Sequence, residues 1–319
     1  MPPRPIHEPR RDDCPWCGSR RLRTRLRAPD LLHHHKPGTF VVDQCRDCAH
    51  VFQNPRLTAE GLALYQRHPV GEHGHDLTAR ILATGTRRRR LRATARAMLR
   101  LPEPESWLDV GTGHAHFPEV AKKLFVYTSF DGLDPTARVE RAREAGRVEE
   151  AHRGHLTHPA IVARLRARYD VVSMLHHLEH SLDPREEIRA ALTVLRPGGH
   201  LLVEVPDPRS AFAALLGKWW VPHGQPRHLH LMPLANLRTE LETQGCTIVT
   251  VDRQAAHIPY DLAAALSLTL ARSIPPTRRP LLRATAPLVT AASALDHTLS
   301  PVLSRIGFAN AYRVIARRN

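Results

Sequence analysis

From residue 105 onward, short apolar runs alternate with segments whose apolar residues recur every three or four positions. Residues 106–110 form the first run, ending in Gly111-Thr112-Gly113, and 117–125 read as the helix after it. Strands are expected over 126–133, 147–151, 170–175 and 200–205, with helices over 136–145, 159–168 and 184–195. Pro197-Gly198-Gly199 stops the last of these helices. A helix over 234–244 and strands over 247–251 and 312–316 complete the series. Strands and helices taking turns imply a parallel sheet with helices on both faces.

The flanks differ. Residues 39–42 look like a short strand, 57–70 like a short helix broken near Gly71 and Gly74, and 76–100 like a longer one. The Arg87–Arg90 run on that helix is expected to be a solvated face. Between the last two strands lies a Leu- and Ala-rich helical insertion, interrupted at Pro275, Pro276 and Pro280. There Leu288, Ala292, Leu295, Leu299, Val302 and Ile306 recur at three- and four-residue steps. A lid or a dimer face is the first expectation for it. A peripheral membrane contact is the alternative, since Arg272, Arg278, Arg279, Arg283 and Arg305 flank it. The expected divisions are 1–55, a metal module; 56–104, a helical linker or cap; 105–257, the core; 258–307, the insertion; and 308–319, the last core strand.

Composition narrows the class. The 319-residue chain has no apolar run long enough to span a membrane and an N-terminus rich in proline and charge, so the cytoplasm is the expected compartment. Its formal charge of +15 comes almost wholly from arginine, with lysine only at 36, 122, 123 and 218. Such a skew also follows from GC-rich codons, so a nucleic-acid partner is the weaker expectation. Four of five cysteines form two pairs, Cys14-Pro-Trp-Cys17 and Cys45-Arg-Asp-Cys48. Without a secretion signal this spacing reads as one tetrahedral zinc site, structural because four thiolates close the coordination sphere. Gly18 permits the tight turn after the first pair. Cys246 stands in apolar context and is expected in the core.

Leu108-Asp109-Val110-Gly111-Thr112-Gly113-His114-Ala115 follows a strand and opens a helix. Glycines there let the backbone approach a ligand at the carboxyl edge of a parallel sheet. A dehydrogenase pyrophosphate site would repel Asp109, whereas a ligand bearing an ammonium group welcomes it. Asp134, ending the second strand, can accept both hydroxyls of a ribose.

These residues resemble the class I S-adenosylmethionine (SAM) methyltransferases, whose first motif reads (D/E)xGxGxG and whose second ends in an acidic residue. The chain departs at the third glycine, Ala115. Tyr169–His180 with Asp183-Pro184, the turn Leu195-Arg196-Pro197-Gly198-Gly199, and Pro226-Arg227-His228-Leu229-His230 are similar to the ubiquinone-type group. Paired CxxC motifs ahead of such a domain resemble bacterial methyltransferases of sugar and secondary-metabolite pathways. The resemblance implies a doubly wound α/β sheet of seven strands, the last antiparallel, with a zinc-ribbon-like module and the helical insertion as attachments. It implies SAM contacts from Asp109, Gly111, Gly113 and Asp134, with Leu156 near the adenine. Ser173, Met174 and Leu175 would lie beside the sulfonium, or serve only as strand core. A general base is sought among His176, His177, His180, His228 and His230, His177 first, since imidazole titrates near neutrality. The expected reaction is methyl transfer to a small-molecule acceptor (secondary metabolite, sugar or lipid-linked), at oxygen, with a homodimer left open. The alternative, an RNA methyltransferase gripping phosphates through the zinc module and arginines, lacks the Asn/Asp-Pro-Pro-aromatic segment after strand four.

Overall fold

The computed structural model describes residues 6–31, 38–66, 86–274 and 278–319. The chain divides into two compact units. One comprises Gly85–Val205, Leu234–Ala256 and Tyr312–Asn319; the other comprises Met1–Thr84, Pro206–Pro233 and His257–Ala311.

The first unit holds a seven-stranded sheet. In chain order its strands are β4 (Ser106–Val110), β5 (Ser129–Asp134), β6 (Ala151–Arg153), β7 (Tyr169–Leu175), β8 (Leu195–Pro206), β10 (Cys246–Asp252) and β11 (Ala311–Arg318). In space they run β10-β11-β8-β7-β4-β5-β6. β4 pairs in parallel with both β5 and β7, so the strand order reverses beside it. Crevices for ligands open at the carboxyl ends of strands around such a reversal. β11 slips between β8 and β10 and runs antiparallel to β10. The doubly wound fold expected from the alternation is therefore present.

Helices α2 (Thr86–Ala97), α3 (His116–Ala121), α4 (Arg138–Glu144), α5 (Pro159–Leu165), α6 (Pro184–Val194) and α8 (Leu234–Thr243) accompany the sheet. The start of α6 shows how locally these elements are encoded. Asp183 accepts hydrogen bonds from the amides of Arg185 and Glu186 at 3.0 and 3.1 Å, and Pro184 occupies the first helical position, where no donor is needed. β8 starts five residues earlier than the pattern suggests. Its pairing with β7 jumps from Tyr169–Leu195 to Val171–His200, and this irregularity absorbs Pro197-Gly198-Gly199. The expected helix 76–100 is seen from residue 86 only, since 76–85 lie outside the described residues.

The second unit carries β1 (Leu22–Ala28), β2 (Phe40–Cys45), β3 (Val51–Gln53) and β9 (His230–Leu231), every neighbouring pair antiparallel. With them go α1 (Ala59–Gln66), α7 (Ala211–Leu215), α9 (Asp261–Ser273), α10 (Arg279–Ala284) and α11 (Ala286–Leu303). Of this sheet the pattern indicates only β2. The core cannot run unbroken over 105–257, because 206–233 supplies β9, which hydrogen bonds to β3. Residues 56–104 are likewise no single linker: α1 belongs to one unit and α2 to the other. No helix among the described residues is long and apolar enough to cross a membrane.

Trp107 anchors the first unit's core from β4. It is fully buried, stacks on Phe130 with ring centroids 5.2 Å apart, and meets Phe117 and Phe125 at 5.6 and 5.5 Å. Its indole N–H donates to the Ser173 hydroxyl at 2.9 Å, so the ring's polar edge is satisfied as well. Trp107→Ala is expected to destabilise the protein by about 3–5 kcal/mol in chemical denaturation, because it leaves a cavity and removes the donor to the buried Ser173 oxygen.

Candidate active site

Asp109 closes β4 with its carboxylate almost wholly buried. One oxygen accepts from the Ser173 hydroxyl at 2.6 Å and the other from the Thr112 hydroxyl at 2.8 Å. Burial raises its pKa to about 6; the two hydroxyls and His177 pull the other way without cancelling the effect. The loop after it turns sharply. Gly111 and Gly113 adopt φ of +71° and +55°, and the Gly111 amide donates to the Leu133 carbonyl at 2.8 Å. Ala115, in the third glycine's place, also holds a left-handed φ of +53° with its methyl buried. The departure from the motif thus keeps the glycine-like backbone.

Asp134 ends β5 and braces the same loop. Its Oδ2 accepts from the Gly113 amide at 2.9 Å, while Oδ1 accepts from the amide and hydroxyl of Thr136. Asp109, Gly111, Gly113 and Asp134 therefore lie together at the carboxyl ends of β4 and β5. Leu156 is buried three residues beyond β6. Ser173 and Met174 are closed inside the sheet, while Leu175 at the strand's mouth stays partly exposed.

His177 lies over the glycine loop. A Cβ placed on Gly111 would come within 2.5 Å of its Nδ1. Its Nε2 faces the Glu187 carboxylate of α6 at 3.5 Å. Burial on its own would lower the imidazole pKa, but Glu187, with Glu179 and Asp134 behind it, raises it above the ordinary value. A histidine oriented by a carboxylate at the cleft is the arrangement a general base needs.

His176 is differently engaged. It adopts a left-handed φ of +52°, and its ring bridges Glu179 at 3.1 Å and Arg90 at 2.9 Å. Its Nε2 lies 3.4 Å from the buried Glu204. Glu204 in turn accepts from Arg313 at 2.9 and 3.1 Å, from Thr94 at 3.1 Å and from Arg90 at 3.1 Å. Burial would raise the Glu204 carboxyl, yet His176 and the two guanidiniums hold it well below the usual carboxylate range. His176 is thus a member of a buried ionic cluster rather than a free base. Arg90 also corrects the solvated-face reading of 87–90: Arg87, Arg88 and Arg89 are exposed, but Arg90 turns inward.

His180 sits half-buried in the 3₁₀ turn after His177. His228 and His230 belong to the other unit. His230, taken from the sequence as a base candidate, is buried in β9 with its Nδ1 3.1 Å from Nε2 of His50, so its ring serves that sheet's packing. His228 is turned onto the Pro222 carbonyl at 2.8 Å. Glu187, Glu204, Arg90 and Arg313 escaped the sequence reading. Only the spacing of Glu187 one turn into α6 could have suggested the first of them.

Near the N-terminus, Cys14, Cys17, Cys45 and Cys48 bring four sulfurs within 4.8 Å of one another. The Cys14–Cys48 and Cys17–Cys45 separations are both 3.6 Å, close to the ~3.8 Å between corners of a tetrahedron with zinc–sulfur bonds. The Trp16 amide points at the Cys14 sulfur at 3.4 Å. Burial raises the Cys14 thiol and pushes Cys48 up to about 11; at Cys45 burial is outweighed by the Cys48 and Asp47 amides, which bring it down to about 7.

A family described as "Methyltransferase domain" matches residues 82–251, more than half of the chain. The chain belongs to this family. Among curated proteins it is similar to a ubiquinone biosynthesis O-methyltransferase of Azotobacter vinelandii, 29% identical over 126 residues. That match covers 39% of this chain and 54% of the relative. A protein of the same description from Marinobacter nauticus is 40% identical over 65 residues, 20% of this chain and 27% of that one. The chain therefore spans about half or less of the length of these relatives. A solved SAM-dependent methyltransferase from Archaeoglobus fulgidus aligns with a TM-score of 0.47 at 18% identity, covering 72% of this chain and 94% of that one.

The raised Asp109 pKa has a consequence for stability. Above pH ~6 the folded protein carries a buried charge that costs it stability relative to the unfolded chain, and the cost fades as pH falls toward ~4, where both states are protonated. Asp109→Asn keeps the Ser173 bond and removes the charge. Thermal melts of the ligand-free protein are expected to show a gain of about 1–3 kcal/mol at pH 7.5, shrinking toward zero near pH 4.

Proposed function

We propose that the protein transfers the methyl group of SAM to an oxygen of a small-molecule acceptor, with His177 as general base. The observation that carries this reading is the His177–Glu187 pair set directly over the Gly111 loop. SAM supplies a methyl group already activated on a sulfonium. What remains for the chain is positioning, desolvation and removal of one proton. Asp109, buried and ionised at neutral pH, offers negative charge to the ligand's ammonium. Asp134 holds the loop through Gly113 and presents a carboxylate toward ribose hydroxyls. His177 takes the acceptor's hydroxyl proton as the oxygen attacks, and Glu187 stabilises the resulting imidazolium.

The curated relatives act in ubiquinone biosynthesis by O-methylation, according to their names, which supports oxygen as the methylated atom. The four gathered thiols support one structural zinc ion held by Cys14, Cys17, Cys45 and Cys48, with no open position for an acceptor.

Three measurements test these assignments. Asp134→Ala is expected to weaken SAM binding by about 1–3 kcal/mol in calorimetry, since hydrogen bonds to a charged acceptor disappear; unchanged affinity removes Asp134 from the site. His177 must be neutral to accept a proton, and its pKa is raised, so kcat should climb with pH through an inflection above the ordinary imidazole value. Glu187→Gln should move that inflection to lower pH, and His177→Ala should slow turnover ~10²- to 10⁴-fold at neutral pH. If His177→Ala retains full turnover, the base lies elsewhere. Purified protein should carry one equivalent of zinc, and Cys45→Ser should lose it; a metal-free wild-type protein refutes the zinc assignment.

A further inference from the structure

The helical insertion has a face that nothing in its own unit covers. α11 packs inward through Val289 and through Asp296, whose buried carboxylate accepts from the Leu262 and Ala263 amides at the start of α9, at 3.0 and 2.9 Å. That capping fixes the rotation of α11 about its axis. On the outward side Leu288, Leu295, Leu299 and Val302 are 59%, 51%, 42% and 59% exposed, and Ile306 just past the helix is 62% exposed. With Ala292, these residues fall at alternating steps of four and three: 288, 292, 295, 299, 302, 306. Two interleaved seven-residue series, 288-295-302 and 292-299-306, make up that row. This is the a/d repeat of a helix that packs against another helix.

We infer that α11 pairs with α11 of a second copy of this chain, through the seam Leu288–Ala292–Leu295–Leu299–Val302–Ile306. Three observations favour a second copy. The first is the narrowness of the row. A helix lying in a membrane interface presents a broad apolar face with lysine or arginine along the polar one, and residues 286–304 contain neither. The second is charge. The chain carries a formal +15, yet across the seam, 288–306, the formal charges are only Asp296, which is buried, and the exposed Arg305 at its far end, so two antiparallel copies can meet along the helix with their Arg305 side chains at opposite ends. The third is size. The five exposed side chains offer on the order of 500 Å² per copy, hence roughly 1,000 Å² per pair, the lower bound for a specific interface. Such an area fits a reversible dimer with a Kd on the order of 10 μM rather than a permanent one.

Sedimentation velocity on the full chain between about 1 and 200 μM tests this. The expected result is a monomer at the low end that shifts to a dimer with rising concentration. Leu295→Glu, at a half-exposed position, should abolish the shift up to the highest concentration while leaving the melting curve and SAM binding unchanged. Val302→Ser provides a milder second variant, expected to raise the Kd at least about threefold. A wild-type chain that stays monomeric at every concentration overturns the inference. So does a dimer that survives Leu295→Glu with its Kd intact. Co-sedimentation of monomeric wild-type protein with phosphatidylglycerol vesicles, lost in Leu295→Glu, would assign the seam to a lipid surface instead and equally overturn it.

Discussion

A buried carboxylate at the end of β4 sets the terms for everything around it. Asp109 lies where β4 runs out, and a charge so placed survives only with donors aimed at it. One of those donors, Ser173, comes from the neighbouring strand and itself receives the Trp107 indole N–H. The relay from Trp107 through Ser173 to Asp109 ties the aromatic core to the ligand cleft. The other donor, Thr112, comes from the glycine loop, whose second glycine is fastened to Asp134 on the next strand over. Two carboxylates on adjacent strands thus hold one loop from two sides, and His177 closes over it. A site that binds a charged ligand keeps unfavourable charge ready for it, and the fold tolerates this through a few well-directed hydrogen bonds.

A second buried ionic group is centred on Glu204. Glu204 gathers Arg313 from β11, Arg90 and Thr94 from α2, and His176 from the loop after β7. Three elements far apart in sequence are thereby fixed to one carboxylate. His176, one of its partners, holds a left-handed backbone conformation, and the next residue is His177. His177 and the ionic cluster are therefore joined through one peptide bond.

Most of the parallel sheet was legible because burial on both faces forces continuous apolar strands, and the turn residues Gly111 and Gly113 mark the end of β4. That Asp109, Gly111, Gly113 and Asp134 gather at one loop was legible for the same reason: the loop chemistry is local. What escaped were interactions between residues distant in the chain. Arg90 looked like one more solvated arginine in a row of four, and only the fold shows that one of them points inward toward Glu204. His230 looked like a partner of His177, but it forms a two-residue strand too short for any periodicity, and its neighbour His50 is 180 residues away. Small antiparallel strands such as β1, β3 and β9 take their identity from their pairing more than from their own composition.

The pairing of β3 with β9 carries an implication for synthesis of the chain. β3 is complete at residue 53, whereas its partner strand begins at residue 230. At ribosomal rates of roughly 5–20 residues per second, the edge of β3 waits on the order of ten to thirty seconds before its neighbour has been made. During that interval the N-terminal sheet offers an open hydrogen-bonding edge to whatever extended chain is nearby. That hazard to β3 ends only when the ribosome has passed the methyltransferase motifs.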